Sequence, residues 1–138
     1  MKLFKTLLTI LLISLLSSPS WSEEMGDLVK REGIYYQKFT DVPFTGKVTG
    51  KEQGSIKNGK WDGAVVTYWD NGQLWYKQNY KNGMLDGVFI SYNENGQLFA
   101  KGNHKNGKKE GPWVYYNEDG TIFKLMTGTY KDNVKISD

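Results

Sequence analysis

The sequence predicts an all-β fold, an antiparallel meander of stacked β-hairpins in a single twisted sheet. Three observations predict it: a strand-forming composition, a 24-residue internal repeat and evenly spaced turn dipeptides. The chain has 138 residues, with 20 aromatics, 16 glycines, three prolines and no cysteine, which fits one modest domain. Hydrophobic residues make up 38% and charged residues 24%. The apolar share is weighted toward Tyr, Trp and Phe, so neither disorder nor a coiled coil fits.

Shifting the chain by 24 residues aligns Gly63, Gly87 and Gly111, then Tyr68, Tyr92 and Tyr116, then Gly72, Gly96 and Gly120. Lys57-Asn58-Gly59, Lys81-Asn82-Gly83 and Lys105-Asn106-Gly107 fall into the same register, as do Leu74, Leu98 and Ile122. Turn dipeptides punctuate the array at Asn58-Gly59, Asn71-Gly72, Asn82-Gly83, Asn95-Gly96, Asn106-Gly107 and Asp119-Gly120. Each predicts a type I′ hairpin turn, because Asn and Gly best tolerate the two positive φ angles that such a turn requires. The runs between them, such as Val65 to Trp69, Val88 to Tyr92 and Trp113 to Tyr116, are β-branched and aromatic and read as strands. Upstream, residues 33–38 and 44–48 flank Asp41-Val42-Pro43 as an irregular first hairpin. Tyr130-Lys131-Asp132-Asn133 forms an atypical last unit, with Asn133 at the turn-glycine position, as expected of a terminal cap.

The pattern Gly-x-x-x-x-Tyr-x-x-x-Gly-Gln-Leu, followed by Tyr-Lys-Asn-Gly-x-x-x-Gly, resembles the MORN-repeat variant of bacterial proteins, including the YwqK-type toxin–antitoxin antitoxins. The resemblance runs from about Asp41 to Lys135. It implies stacked β-hairpins and a role in binding, and the antitoxin members imply an inhibitor.

The first 22 residues differ in kind from the rest. Lys2 and Lys5 precede an apolar run from Leu7 to Leu16, and Ser20 and Ser22 bracket Trp21. This is the pattern of a secretory signal peptide cut before Glu23. The apolar run is too short for the roughly 20 residues of a membrane span. Cleavage leaves 116 residues in the periplasm or outside the cell, with residues 23–32 expected as a linker and 33–138 as the repeat domain. Without Lys2 and Lys5 the net charge falls from +3 to +1, and the remaining lysines are scattered among Asp and Glu. That argues against nucleic-acid binding, which needs a clustered basic face. With no cysteine there is neither a disulfide framework nor a lipid-attachment thiol.

If Asn71-Gly72 is a two-residue turn, residues whose numbers sum to 143 face each other. Tyr68 then pairs with Trp75, Val66 with Lys77, Tyr92 with Phe99 and Tyr116 with Phe123. This aromatic stripe is expected to be the structural face. The other face carries Val65, Phe89 and Trp113 in one row, Trp69 beside Leu74, and Tyr76 and Tyr115 nearby. No segment has helical periodicity, so no helix layer is predicted to cover it. Val65, Trp69, Tyr76, Phe89, Trp113 and Tyr115 are therefore the candidate partner-binding residues. The competing reading makes that row ordinary sheet residues shielded by twist and lysine stems. Free strand edges at the two ends offer strand addition as another route.

Asp62, Asp86 and Glu110 recur at 24 residues, but equivalent positions lie about 10 Å apart, too far to share one cation. His104 is the only histidine and stands where the preceding repeat has Tyr80. Neither a triad nor a Cys–His pair can be assembled, and no cofactor or metal site is expected. The sequence thus predicts an exported, non-catalytic binding module with a protein partner. A lipid surface stays open as an alternative, as do a self-assembling envelope component and an antitoxin-like inhibitor.

Overall fold

The computed structural model describes residues 22–138, so the segment 1–22, read from sequence as a signal peptide, lies, except for Ser22, outside the described residues. In chain order the strands are β1 (Ser22–Glu24), β2 (Leu28–Arg31), β3 (Ile34–Gln37), β4 (Gly46–Thr49), β5 (Glu52–Lys57), β6 (Lys60–Trp61), β7 (Gly63–Tyr68), β8 (Leu74–Lys81), β9 (Met84–Tyr92), β10 (Leu98–Lys105), β11 (Lys108–Tyr115), β12 (Gly128–Lys131) and β13 (Val134–Ser137). A one-turn 3-10 helix, Met25–Asp27, joins β1 to β2. Among the described residues there is no α-helix.

The predicted meander is present: β4, β5 and β7 to β13 follow one another across one large sheet, with β6 paired to β5. Two features were not expected. The segment 23–32, predicted as a linker, is folded, with β1 in parallel register on β4. In addition, β2 and β3 form a separate two-stranded sheet.

The turns fall into two alternating kinds. Asn58-Gly59, Asn82-Gly83 and Asn106-Gly107 have positive φ at both residues, so these are the predicted type I′ turns, and Glu32-Gly33 and Asp132-Asn133, outside the predicted set, share the conformation. Asn133 holds its place at φ 71° without a glycine. The other three are different. Gly72 N–H donates to Trp69 O at 2.9 Å and Trp69 N–H to Gln73 O at 2.8 Å, and only the glycine has positive φ. This is a three-residue loop with a bulge at the glycine, repeated at Gly96 and Gly120. The side-chain Oδ1 atoms of Asn71 and Asn95 and a carboxylate oxygen of Asp119 each accept from the backbone N–H two residues on.

The longer loop moves the register by one beside the turn. Tyr68, Tyr92 and Tyr116 face Leu74, Leu98 and Ile122, not Trp75, Phe99 and Phe123. A further bulge restores the expected pairing, so Val66 does face Lys77. In mid-hairpin a second irregularity recurs around Gly63, Gly87 and Gly111, all at positive φ, where the register shifts by two residues. A bulge at the same height in every unit bends each hairpin the same way and strengthens the local twist.

The bend lets one face of the sheet close on itself in two clusters. At the N-terminal end Leu28, Phe44, Val48, Ile56, Trp61 and Val65 are buried together, with Met25, Tyr35 and Tyr80 packed against them. At the C-terminal end Ala100, Trp113, Tyr115 and Tyr130 form the second cluster, with Phe89 and Phe123 alongside. Gly102 is the seat of the Trp113 indole, since a Cβ there would overlap the ring. The two-faced sheet makes a direct contrast measurable. Trp113→Ser should cost about 3–5 kcal/mol in urea unfolding. Val88→Ser, on the opposite face, should change stability by less than about 0.5 kcal/mol.

Candidate functional site

The expected row exists, but it faces inward. Val65 opposes Gln78, Gln78 opposes Phe89, Phe89 opposes Gly102, and Trp113 follows on the next strand. Val65 is 0% exposed, in the buried cluster to which the β2–β3 sheet of the same chain contributes Leu28, with Tyr35 packed against it. Trp113 and Tyr115 are buried against Tyr130. These three residues belong to the core, and the expectation of an open aromatic face on this row gives way. A bent sheet needs no helix layer, because its end hairpins supply the cover.

The remaining three are half-buried. Phe89 lies 5.5 Å from the Trp113 ring and 5.7 Å from His104, centroid to centroid. Trp69 stacks on Trp75 at 4.3 Å and donates its indole N–H to Tyr92 O, tying one loop to the next. Tyr76 sits in the neighbouring inward row, Glu52–Thr67–Tyr76–Ser91–Ala100–Tyr115.

That inward row is polar between the two apolar clusters. Thr67 Oγ1 and Ser91 Oγ are buried without a hydrogen-bond partner, at a cost of about 1–3 kcal/mol each. The Thr67 hydroxyl lies beside the Tyr76 phenol but out of hydrogen-bonding geometry. Gln78 Nε2 donates to the Tyr80 hydroxyl at 2.8 Å. Burial pushes the Glu52 carboxyl up, opposed by the Tyr76 hydroxyl and by the charge of Lys30. Burial also pushes Tyr80 up to about 12, aided by Tyr76 and the Glu52 charge.

Lys109 closes the C-terminal part of this face. Its ammonium stands 4.9 Å from the Trp113 and Tyr115 ring centroids and 5.2 Å from that of Tyr130, and donates to the Tyr115 hydroxyl. Asp86 and Glu110, which recur at 24 residues, accept from the backbone N–H groups of Asn106 and Asp132 in the next turn. Among the described residues no three His, Asp or Glu side chains gather into a metal site.

The outward face offers the open surface. Gln53, Val66, Lys77, Ile90, Lys101 and Val114 stand directly opposite one another across successive strands. Aliphatic and lysine side chains alternate along this row. Beside it Val88 is 64% exposed, and Val88, Ile90, Pro112 and Val114 border a shallow groove of about 370 Å³ crossed by Lys101. Among the described residues the ion pairs lie at Arg31–Asp41, Lys51–Asp70, Lys108–Asp132 and Lys135–Asp138, and neither Lys77 nor Lys101 takes part. Reasoning from sequence missed this surface because alternation separates two faces without saying which one is covered. The recurrence of lysine at 77 and 101 in an otherwise aliphatic row was the available signal.

The MORN repeat variant family model matches residues 61–82 and 85–106, two units of the array. No curated protein and no solved structure matches the chain.

His104, on the inward face, makes the stability of the fold depend on pH. It is wedged between Phe89 and Trp113, and burial, with the charge of Lys109, lowers its pKa from 6.5. A base with a depressed folded-state pKa binds more protons when unfolded, so stability declines as pH falls from about 6.5 toward the folded value. Melting temperature measured from about pH 7.5 to 5 should show that decline, and His104→Tyr should remove it.

Proposed function

We propose that the protein is an exported, non-catalytic binding module that recognises a protein partner through the outward face of its repeat sheet. The observation that carries this reading is the row Val66–Lys77–Ile90–Lys101–Val114, aliphatic side chains interleaved with two lysines that, among the described residues, form no ion pair with a carboxylate. Such a surface is complementary to a partner that is both apolar and acidic. The match of two units to the MORN repeat variant supports a binding role, and the leader-like pattern of residues 1–22 supports export. The recognition residues proposed from sequence are replaced by this outer set, because Val65, Trp113 and Tyr115 are spent on the core.

The test is affinity capture from the native envelope with the mature chain, Glu23 to Asp138. Lys77→Glu with Lys101→Glu should abolish capture while leaving the melting temperature within about 2–4 °C of the parent. Raised salt should weaken capture by the parent. Capture that survives the double reversal would place the site elsewhere. The antitoxin resemblance makes a toxin one form such a partner could take, read out by rescue of cells with and without the leader. The open edge of β13, with Val134 and Ile136 exposed, is the feature that would serve self-assembly, read out by concentration-dependent mass.

A further inference from the structure

Between the β2–β3 hairpin and the inward face of the large sheet lies a hollow of about 440 Å³, separate from the outward groove. Three aromatic rings line it in series: Tyr35 meets Trp61 edge-on at 6.0 Å, and Trp61 stacks with Tyr80 at 6.3 Å. Glu52 is half-buried among them. Among the described residues its carboxylate makes no ion pair closer than 4 Å. Lys30 and Lys60 lie at the exposed rim.

The other end of the same inward face shows what this chemistry holds. There Lys109 places its ammonium over Trp113, Tyr115 and Tyr130. Moving back by the repeat of 24, the position of Lys109 becomes Leu85 and then Trp61. The N-terminal hollow therefore has rings, and in addition a carboxylate, but no buried lysine of its own. Of the two rim lysines, Lys30, at the surface, holds its ammonium 5.0 Å from the Tyr35 ring centroid.

We propose that this hollow is a binding site for an organic cation, an alkylammonium group such as the end of a lysine side chain, seated against Tyr35 and Tyr80 with Glu52 as its counter-ion. The ring faces attract the charge, the carboxylate neutralises it, and the aliphatic stem replaces water along Trp61. Lys30 is the chain's own weak competitor for the outer ring, and an incoming guest displaces it. Lys60 adds like charge at the rim but is solvated and screened.

The experiment uses n-butylammonium as the guest, with n-butanol and butyrate as controls, and follows the Trp61 indole N–H signal by NMR during titration of the mature chain. Saturable shifts are expected with butylammonium alone. Glu52→Gln should weaken the guest about tenfold, the loss of one charged hydrogen-bonding partner. Lys30→Met should tighten it. Both variants leave the two core clusters untouched, and unchanged signals from Trp113 verify the fold in each. Equal shifts with butanol would reduce the hollow to a greasy cleft and overturn the proposal. Binding of butyrate lost in Lys30→Met would reverse the sign of the site and overturn it equally. An unchanged affinity in Glu52→Gln would do the same.

Discussion

A sheet one layer thick exposes two faces, and among the described residues no α-helix covers either. The structure depends on how that problem is solved. The glycines at 63, 87 and 111 hold positive φ in mid-hairpin and shift the register by two residues at the same height in each unit. Repeated bends of one hand make the inner face concave enough for its own side chains, and for the two end hairpins, to fill it. Burying Val65 or Trp113 is a consequence of this curvature, and each such side chain contributes roughly 1.5–3 kcal/mol of transfer free energy.

The inner face is not uniform. Its two ends are apolar and its middle is polar, with Thr67, Gln78 and Ser91 buried in adjacent rows and Tyr76 and Tyr80 beside them. Two of those hydroxyls have no partner, and a carboxylate is held at half-burial. A chain selected for stability alone would fill such positions with aliphatic residues, as Val65 and Ala100 do nearby. Polar groups retained at a cost, next to a ring-lined hollow, are the part of the interior that packing does not explain.

Much of the fold was legible in the sequence because turns and alternation are local. The 24-residue spacing located the regular units, and the Asn-Gly and Asp-Gly pairs located their turns. Turn type was harder. The same dipeptide makes a type I′ turn at Asn82-Gly83 and a three-residue loop at Asn71-Gly72, because the residues flanking it decide where the closing pair falls. That single difference moved Tyr68 from Trp75 to Leu74. The identity of the buried face was not legible at all. Val65, Phe89 and Trp113 were correctly grouped in a row, yet nothing local says that Leu28 and Tyr35 fold back over one end of it. The outer row of Val66, Ile90 and Val114 with Lys77 and Lys101 escaped notice because each residue alone reads as ordinary sheet.

The type I′ turns carry one more implication. The amide of Gly83 bonds to Trp61 O, that of Gly107 to Leu85 O and that of Asn133 to Lys109 O, each turn docking on the unit before it. Every interior unit thus presents on its leading side the acceptor that its trailing side has just consumed. An array built this way is modular in length: excising or duplicating one whole unit would rejoin like surface to like, and the outer face would lengthen or shorten by one aliphatic–lysine step without redesign of either cap.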